Sequence, residues 1–323
     1  MWTGGVLACL LLLGASAARA EDAAECKRYE KLQYPAADMP TAAQREALKD
    51  CEPSNLYYGI GARPDYVQTR LCAFARNDKG YLMMLYANGQ GVARNYGLAR
   101  KAACETEAAP AETGGRLEHL QSMESGKEGK SPKIDLCDDV TSGMMMGYCA
   151  AIQADLTTQE REQKFAQLTG GWSSAQKAAF GQLRKSADAF IEARSGGEVD
   201  RSGTARAMFV IEEESKLRAD FLRSVQDFEA GRLPAFTLAD FLKADRGLNL
   251  VYGRLKKSRD AGYPGAVEMS EIRDAQRAWL AYRDAWVTFG KVRYPAVADY
   301  VWKAYFTKKR VGMLRELLEG RKT

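Results

Sequence analysis

Between Ile272 and Gly290 the chain carries one uninterrupted apolar seam. Ile272, Ala275, Trp279, Tyr282, Trp286 and Phe289 step alternately by three and four, the spacing of one face of an α-helix. Arg273, Gln276, Arg277, Arg283 and Asp284 fall on the other side, and no Gly or Pro intervenes before Gly290. Several large rings on one stripe cannot be left in water, so this helix has to lie against others. The seam is read as core and the polar face as solvated. No stretch alternates with the period of a strand, so the expected fold class is all-α. Around the seam, helices are expected at about 237–258, 268–290 and 296–319. Thr237 and Ser270 are read as N-caps, and Gly262, Pro264 and Pro295 as breaks.

Residues 1–20, MWTGGVLACLLLLGASAARA, are an apolar run ending in small residues, with Ala18 and Ala20 placed as at a signal-peptidase site. They read as an export signal, with Glu21 starting the mature chain. Cys9 lies within the run. The other six cysteines, Cys26, Cys51, Cys72, Cys104, Cys137 and Cys149, all precede residue 150. In an exported chain an even set implies disulfides, so the first half is stapled and the second holds by packing. Cys137 with Cys149 is the best single pair, being close and set apart by a linker. No zinc spacing is present.

A short repeat lies among these cysteines. Gly59, Gly61, Asp65, Tyr66, Arg70 and Ala73 recur as Gly89, Gly91, Asn95, Tyr96, Arg100 and Ala103, a period typical of stacked helical hairpins. The glycines would form the turns, and Asp65 and Asn95 would cap the second helices. Cys72 and Cys104 would sit on those second helices. Further upstream, Pro35 and Pro40 break a helical stretch and Thr41 caps the next. Residues 110–133, rich in Gly, Ser, Pro and charge, read as a linker that holds His119, the one histidine.

The segment AQRAWLAYRDAW, followed by TKKRVGML at Thr307–Leu314, resembles the domain of lysozyme-inhibitor LprI-like proteins. That family's Ala-Gln-Arg-x-Trp helix, Tyr-Arg-Asp step and Thr-x-x-Arg-x-x-x-Leu helix fall here on Gln276, Arg277, Trp279, Tyr282, Arg283, Asp284, Thr307, Arg310 and Leu314. A diverged first copy is expected upstream: Ala175–Ala178 matches Ala275–Ala278, and Ser215–Arg218 with Leu222 matches Thr307–Arg310 with Leu314. The resemblance implies that Cys137 and Cys149 open that first copy. Aromatic packing around Trp286 would replace the crosslink the family places later. The segment LMMLYANGQGVARNYGLARKAAC resembles a Sel-one-like repeat, which implies a protein-binding adaptor. The expected organisation is a signal (1–20), a disulfide-stapled hairpin domain (21–109), a linker (110–133) and two small antiparallel helical bundles (134–235 and 236–323).

Chemistry is poorly supplied. The one histidine lies in the expected linker, and the cysteines are read as oxidised. Asp138 with Asp139 and Glu212–Glu214 are consecutive, so they do not share a helix face and read as solvated charge. No phosphate loop or metal cluster is present. Arg310 is expected to tie the two long helices through Asp284 or a neighbouring carboxylate, with Gln276 and Arg283 nearby; presenting these groups to a partner is the rival use. Met144, Met145 and Met146 are read as core or as an adaptable partner surface. The chain is therefore expected to bind and not to catalyse, without cofactor, nucleic acid or a membrane-spanning segment after the signal. The resemblance implies a lysozyme-type muramidase as partner, blocked by a helix end or loop. An envelope adaptor or immunity-type module is the alternative, and a cell-wall glycan enzyme the third reading. Net charge is +5. It concentrates from Phe236 onward, where 18 Lys and Arg stand against 10 Asp and Glu. That basic end suits weak contact with an anionic envelope surface. A basic lysozyme would instead meet the acidic stretch from Glu21 to about Gly231.

Overall fold

Helix dominates the chain, and the clearest three-and-four apolar spacing is that of the seam helix, where Ile272, Ala275, Trp279, Trp286 and Phe289 are all buried. The computed structural model describes residues 24–127, 129, 132–258 and 262–320; the signal segment expected at 1–20 lies outside them. All regular structure among the described residues is helical. The chain divides into two units, residues 1–152 and 153–323.

In the first unit, residues 24–29 form α1. A turn of 3-10 helix then leads to α2 (Ala42–Ala47), capped by Thr41 in a box with Gln44. Helices α3 (Pro53–Tyr58) and α4 (Tyr66–Arg76) form one hairpin, α5 (Lys79–Asn88) and α6 (Tyr96–Glu105) the next. Both repeats take the same form. Gly59 and Gly89 end α3 and α5 in the left-handed region, at φ 75° and 67°, where glycine alone is unstrained. Asp65 and Asn95 accept from the Gln68 and Leu98 N–H groups at 2.9 and 3.0 Å. Helix α5 is buried on every side from Gly80 to Asn88, which makes it the axis of this unit. The Asn88 side chain donates to the Ile134 carbonyl (2.8 Å) and accepts its N–H (2.9 Å), clamping the segment before Cys137 across α5.

The six cysteines among the described residues pair: Cys26–Cys104, Cys51–Cys72 and Cys137–Cys149. Cys72 and Cys104 stand on α4 and α6, the second helices of the hairpins.

Residues 110–124 are not a linker. They form α7 (Pro110–Glu124), which buries Glu112, Arg116, Leu117, Leu120 and Met123. Pro110 sits in the first turn, where its missing N–H costs nothing. The charges on the buried face hid the seam. The Glu112 carboxylate accepts from the Thr141 and Ser142 N–H groups at 2.9 and 2.6 Å. It thereby serves donors at the start of α8 (Gly143–Thr169) that have no helical partner. Burial alone would push Glu112 up, but those hydrogen bonds and Arg116 outweigh it and hold the carboxyl below its usual range. His119 lies on α7, its Nδ1 3.0 Å from Asp139 Oδ2.

The break between units falls within α8. The Cys137–Cys149 bridge therefore belongs to the first unit and does not open the second, as had been expected of residues 134–235. After α8 come α9 (Ser174–Gly197), α10 (Arg206–Glu229), α11 (Leu238–Leu255), α12 (Met269–Arg293) and α13 (Asp299–Gly320). The helices expected for two separate bundles share their cores. Phe180 of α9 lies 5.6 Å from Phe289 of α12, and Phe190 stacks on Tyr282 at 5.4 Å, so the long helices run antiparallel. Phe221 of α10 meets Trp286 at 5.7 Å. Rings of both sets lie in one cluster, Phe180, Phe221 and Phe228 beside Trp286, Phe289 and Trp302, so each set covers the other's seam. Trp286 is enclosed by Phe306 and Trp302, stacked at 4.8 and 6.2 Å, and by the edge-on Phe228. Thr237 caps α11 as expected. Ser270 does not cap α12; Glu268 does, in a box with Glu271.

Candidate interaction surface

The resemblance-derived motif residues are mostly internal. Trp279, Thr307, Arg310 and Leu314 are buried, Gln276, Tyr282 and Arg283 half-buried, and only Arg277 and Asp284 exposed. Thr307 and Leu314 sit on the inner face of α13, and Leu314 packs with Leu248, Ile272 and Trp279. Arg283 lies over the Trp279 ring at 5.2 Å and pairs with the adjacent Asp284 at 2.9 Å. Arg310 therefore does not reach Asp284.

Its partner is Glu198, the C-cap of α9. Arg310 donates through both terminal nitrogens to the two Glu198 oxygens, one bond measuring 2.8 Å, and through Nε to Gln276 Oε1 at 2.9 Å. Its guanidinium also lies over Phe190 at 5.5 Å. Both members are almost wholly out of water, a setting that holds charge only when every group is paired. Arg194 completes the arrangement, donating to Glu198 at 3.2 Å and to Glu213 at 2.8 Å. Residues on α9, α10, α12 and α13 are thus tied through one pair of arginines. Sequence reasoning missed Glu198 because it lies 112 positions from Arg310 and follows a helix end with no local signature.

Glu198 also fixes where the next loop begins. The Arg201 N–H donates to the Gly265 carbonyl at 2.7 Å, and the Arg201 side chain pairs with Glu271. A side chain on Gly265 would meet the Arg201 carbonyl carbon at 2.6 Å, so only glycine allows this approach. The Tyr263 hydroxyl donates to Asp200 at 2.5 Å. Hydrogen bonds from Ser202 and Tyr263 hold the Asp200 carboxyl below its usual range, so it is ionised at neutral pH.

This loop and the first turns of α10 enclose an open cleft of about 460 Å³, lined by Val199, Asp200, Ser202, Phe209, Glu212, Glu213 and Lys216. Of the run Glu212–Glu214, only Glu212 and Glu213 face the cleft; Glu214 pairs with Arg218 at 2.8 Å. Glu213 is partly neutralised by Arg194 and Lys216. Asp200 and Glu212 therefore set a negative sign beside the Phe209 ring, which is 43% exposed. An anionic rim beside an open aromatic face suits a Lys or Arg side chain of another protein. The methionines of α8 divide: Met144 is 72% exposed, while Met145 packs on the first unit's core.

A second polar junction gathers at Glu229, the last residue of α10. It accepts from Trp172 Nε1 (3.1 Å), Arg293 (3.0 and 2.6 Å) and the Tyr294 hydroxyl (2.6 Å). Among the described residues no group of three or more His, Cys, Asp or Glu side chains could hold a metal ion. No described helix is long and apolar enough to cross a membrane.

Comparison with known proteins adds one family. Residues 233–314, about a quarter of the chain, match the family described as lysozyme inhibitor LprI. No curated protein and no solved structure matches the chain. The matched residues take in α11, α12 and α13 as far as Leu314, and with them both Gln276 and Arg310.

Proposed function

We propose that this chain is an exported, non-enzymatic binding protein that inhibits a lysozyme-type muramidase by protein–protein occlusion. One observation carries the reading: Arg310, within the stretch that matches the lysozyme-inhibitor family, reaches Glu198 and so anchors the loop bordering the anionic cleft. A basic partner would seat a cationic side chain between Asp200, Glu212 and the Phe209 ring, and its bulk would cover the partner's own substrate cleft. The three disulfides support an oxidising compartment such as the periplasm. In this reading α8 to α10 are a diverged copy of α11 to α13, supported by the antiparallel pairing of α9 with α12. The first unit lies outside the matched residues, and its stapled hairpins supply a second, adaptor-like contact.

Turbidity of a peptidoglycan suspension tests the proposal. With lysozyme added, the oxidised chain is expected to slow clearing in proportion to its concentration. Clearing without lysozyme would make it an enzyme. No effect on any lysozyme would leave an adaptor with another target.

A further inference from the structure

Helix α11 buries Ala244, Leu248, Val251 and Leu255. At about 100° per residue these four fill a narrow arc, and the opposite side of the helix faces outward. Over about 160° of that outer side stand Leu238, Leu242 and Leu250, interleaved with Lys243, Arg246 and Arg254, and no carboxylate. The leucines are 55%, 47% and 58% exposed. Asp240 and Asp245 fall outside the arc. The Asp240 carboxylate accepts from the Thr237 N–H and hydroxyl at 2.9 and 2.7 Å, and Asp245 accepts from Asn249 at 3.2 Å. Among the described residues, Arg246 and Arg254 form no salt bridge, and Lys243 is drawn to Asp240 only through the charge attraction that helps lower that carboxyl. Exposed Lys256 and Lys257 extend the charge past the end of the helix.

Three leucines and three cations on one solvent face, without an acid, have the composition of a helix that lies in a membrane interface. We infer that this face of α11 docks on an anionic lipid bilayer. The leucines enter the boundary between headgroups and acyl chains, and Lys243, Arg246 and Arg254 lie against lipid phosphates. Other occupants fit less well. A second copy would set cations against cations. An anionic polymer would satisfy the cations but offer the leucines no hydrocarbon. A basic protein such as the proposed partner would be repelled, so the bilayer face is separate from the anionic cleft and does not depend on the inhibitor reading.

The test is co-sedimentation of the oxidised chain from Glu21 onward, freed of the apolar 1–20 segment, with phosphatidylcholine vesicles with and without phosphatidylglycerol. Binding is expected only to the anionic vesicles and should weaken as salt is added. Replacing the cations together (Lys243→Glu, Arg246→Glu, Arg254→Glu) should weaken it by on the order of a hundredfold or more. Replacing the leucines (Leu238→Ser, Leu242→Ser, Leu250→Ser) should abolish it as well, with unchanged helicity and melting. The inference is overturned if anionic vesicles leave the chain in the supernatant, or if the leucine variant binds as well as the parent. It is equally overturned if those leucines prove to hold a dimer or to bind an acidic protein.

Discussion

Arg310 places a full charge where water scarcely reaches, and Glu198 meets it with both carboxylate oxygens. Cutting Arg310 back (Arg310→Ala) leaves Glu198 buried with only Arg194 beside it. Losing one partner of such a pair costs about 3–5 kcal/mol. A lowered melting temperature in the second unit checks this, and Arg310→Lys is expected to recover only part of the loss because it lacks the two-pronged geometry. Glu229 gives a pH signature. Burial would raise its carboxyl, but bonds from Arg293, Tyr294 and Trp172 outweigh that and hold it low. A carboxyl lowered on folding contributes stability that is present above its unfolded value and lost as pH falls through its folded one. Melting temperature should therefore fall as pH drops below the ordinary glutamate value of 4.5, and Glu229→Gln should flatten that fall. The inward position of Trp279 was legible from spacing alone. Glu198 was not, because a tertiary ion pair leaves no periodic trace at either of its residues.

At the level of elements, the seam helix was legible nearly to its ends, since six apolar positions in register leave no competing period. Helix α7 was not. Its buried face carries Glu112 and Arg116, and Gly114 and Gly115 lower its helix propensity, so composition pointed to a linker. The packing of that helix can be tested directly. Leu120 is fully buried, so Leu120→Ala should destabilise the first unit by about 2–5 kcal/mol. In a solvated linker it would do nothing, and a denaturation midpoint decides between the two. The hairpins were legible because the residues that make them are local: a left-handed glycine and an Asp or Asn cap each act within a few positions. The loop over the cleft depends instead on Gly265. Gly265→Ala should displace it, which differential protease cleavage between residues 199 and 205 would register.

On the scale of the whole chain, the cysteines divide the molecule by its means of support. All three bridges lie in the first unit, while the second rests on a continuous aromatic core. Cys26–Cys104 spans 78 residues, a closure worth about 4 kcal/mol. Reductant should therefore lower the first unit's transition by calorimetry and leave the second unit's unchanged. That asymmetry was legible from cysteine positions. The merging of two expected bundles into one core was not, since apolar seams say that a face is covered and not by which neighbour. The anionic cleft at Asp200 and Glu212 is proposed to hold a basic muramidase. The most direct measurement of that hold is peptidoglycan clearing by lysozyme in the presence of the parent chain or of Glu212→Lys, matched for melting temperature. The parent should protect the suspension and the variant lose most of that protection; equal protection by both would contradict the claim.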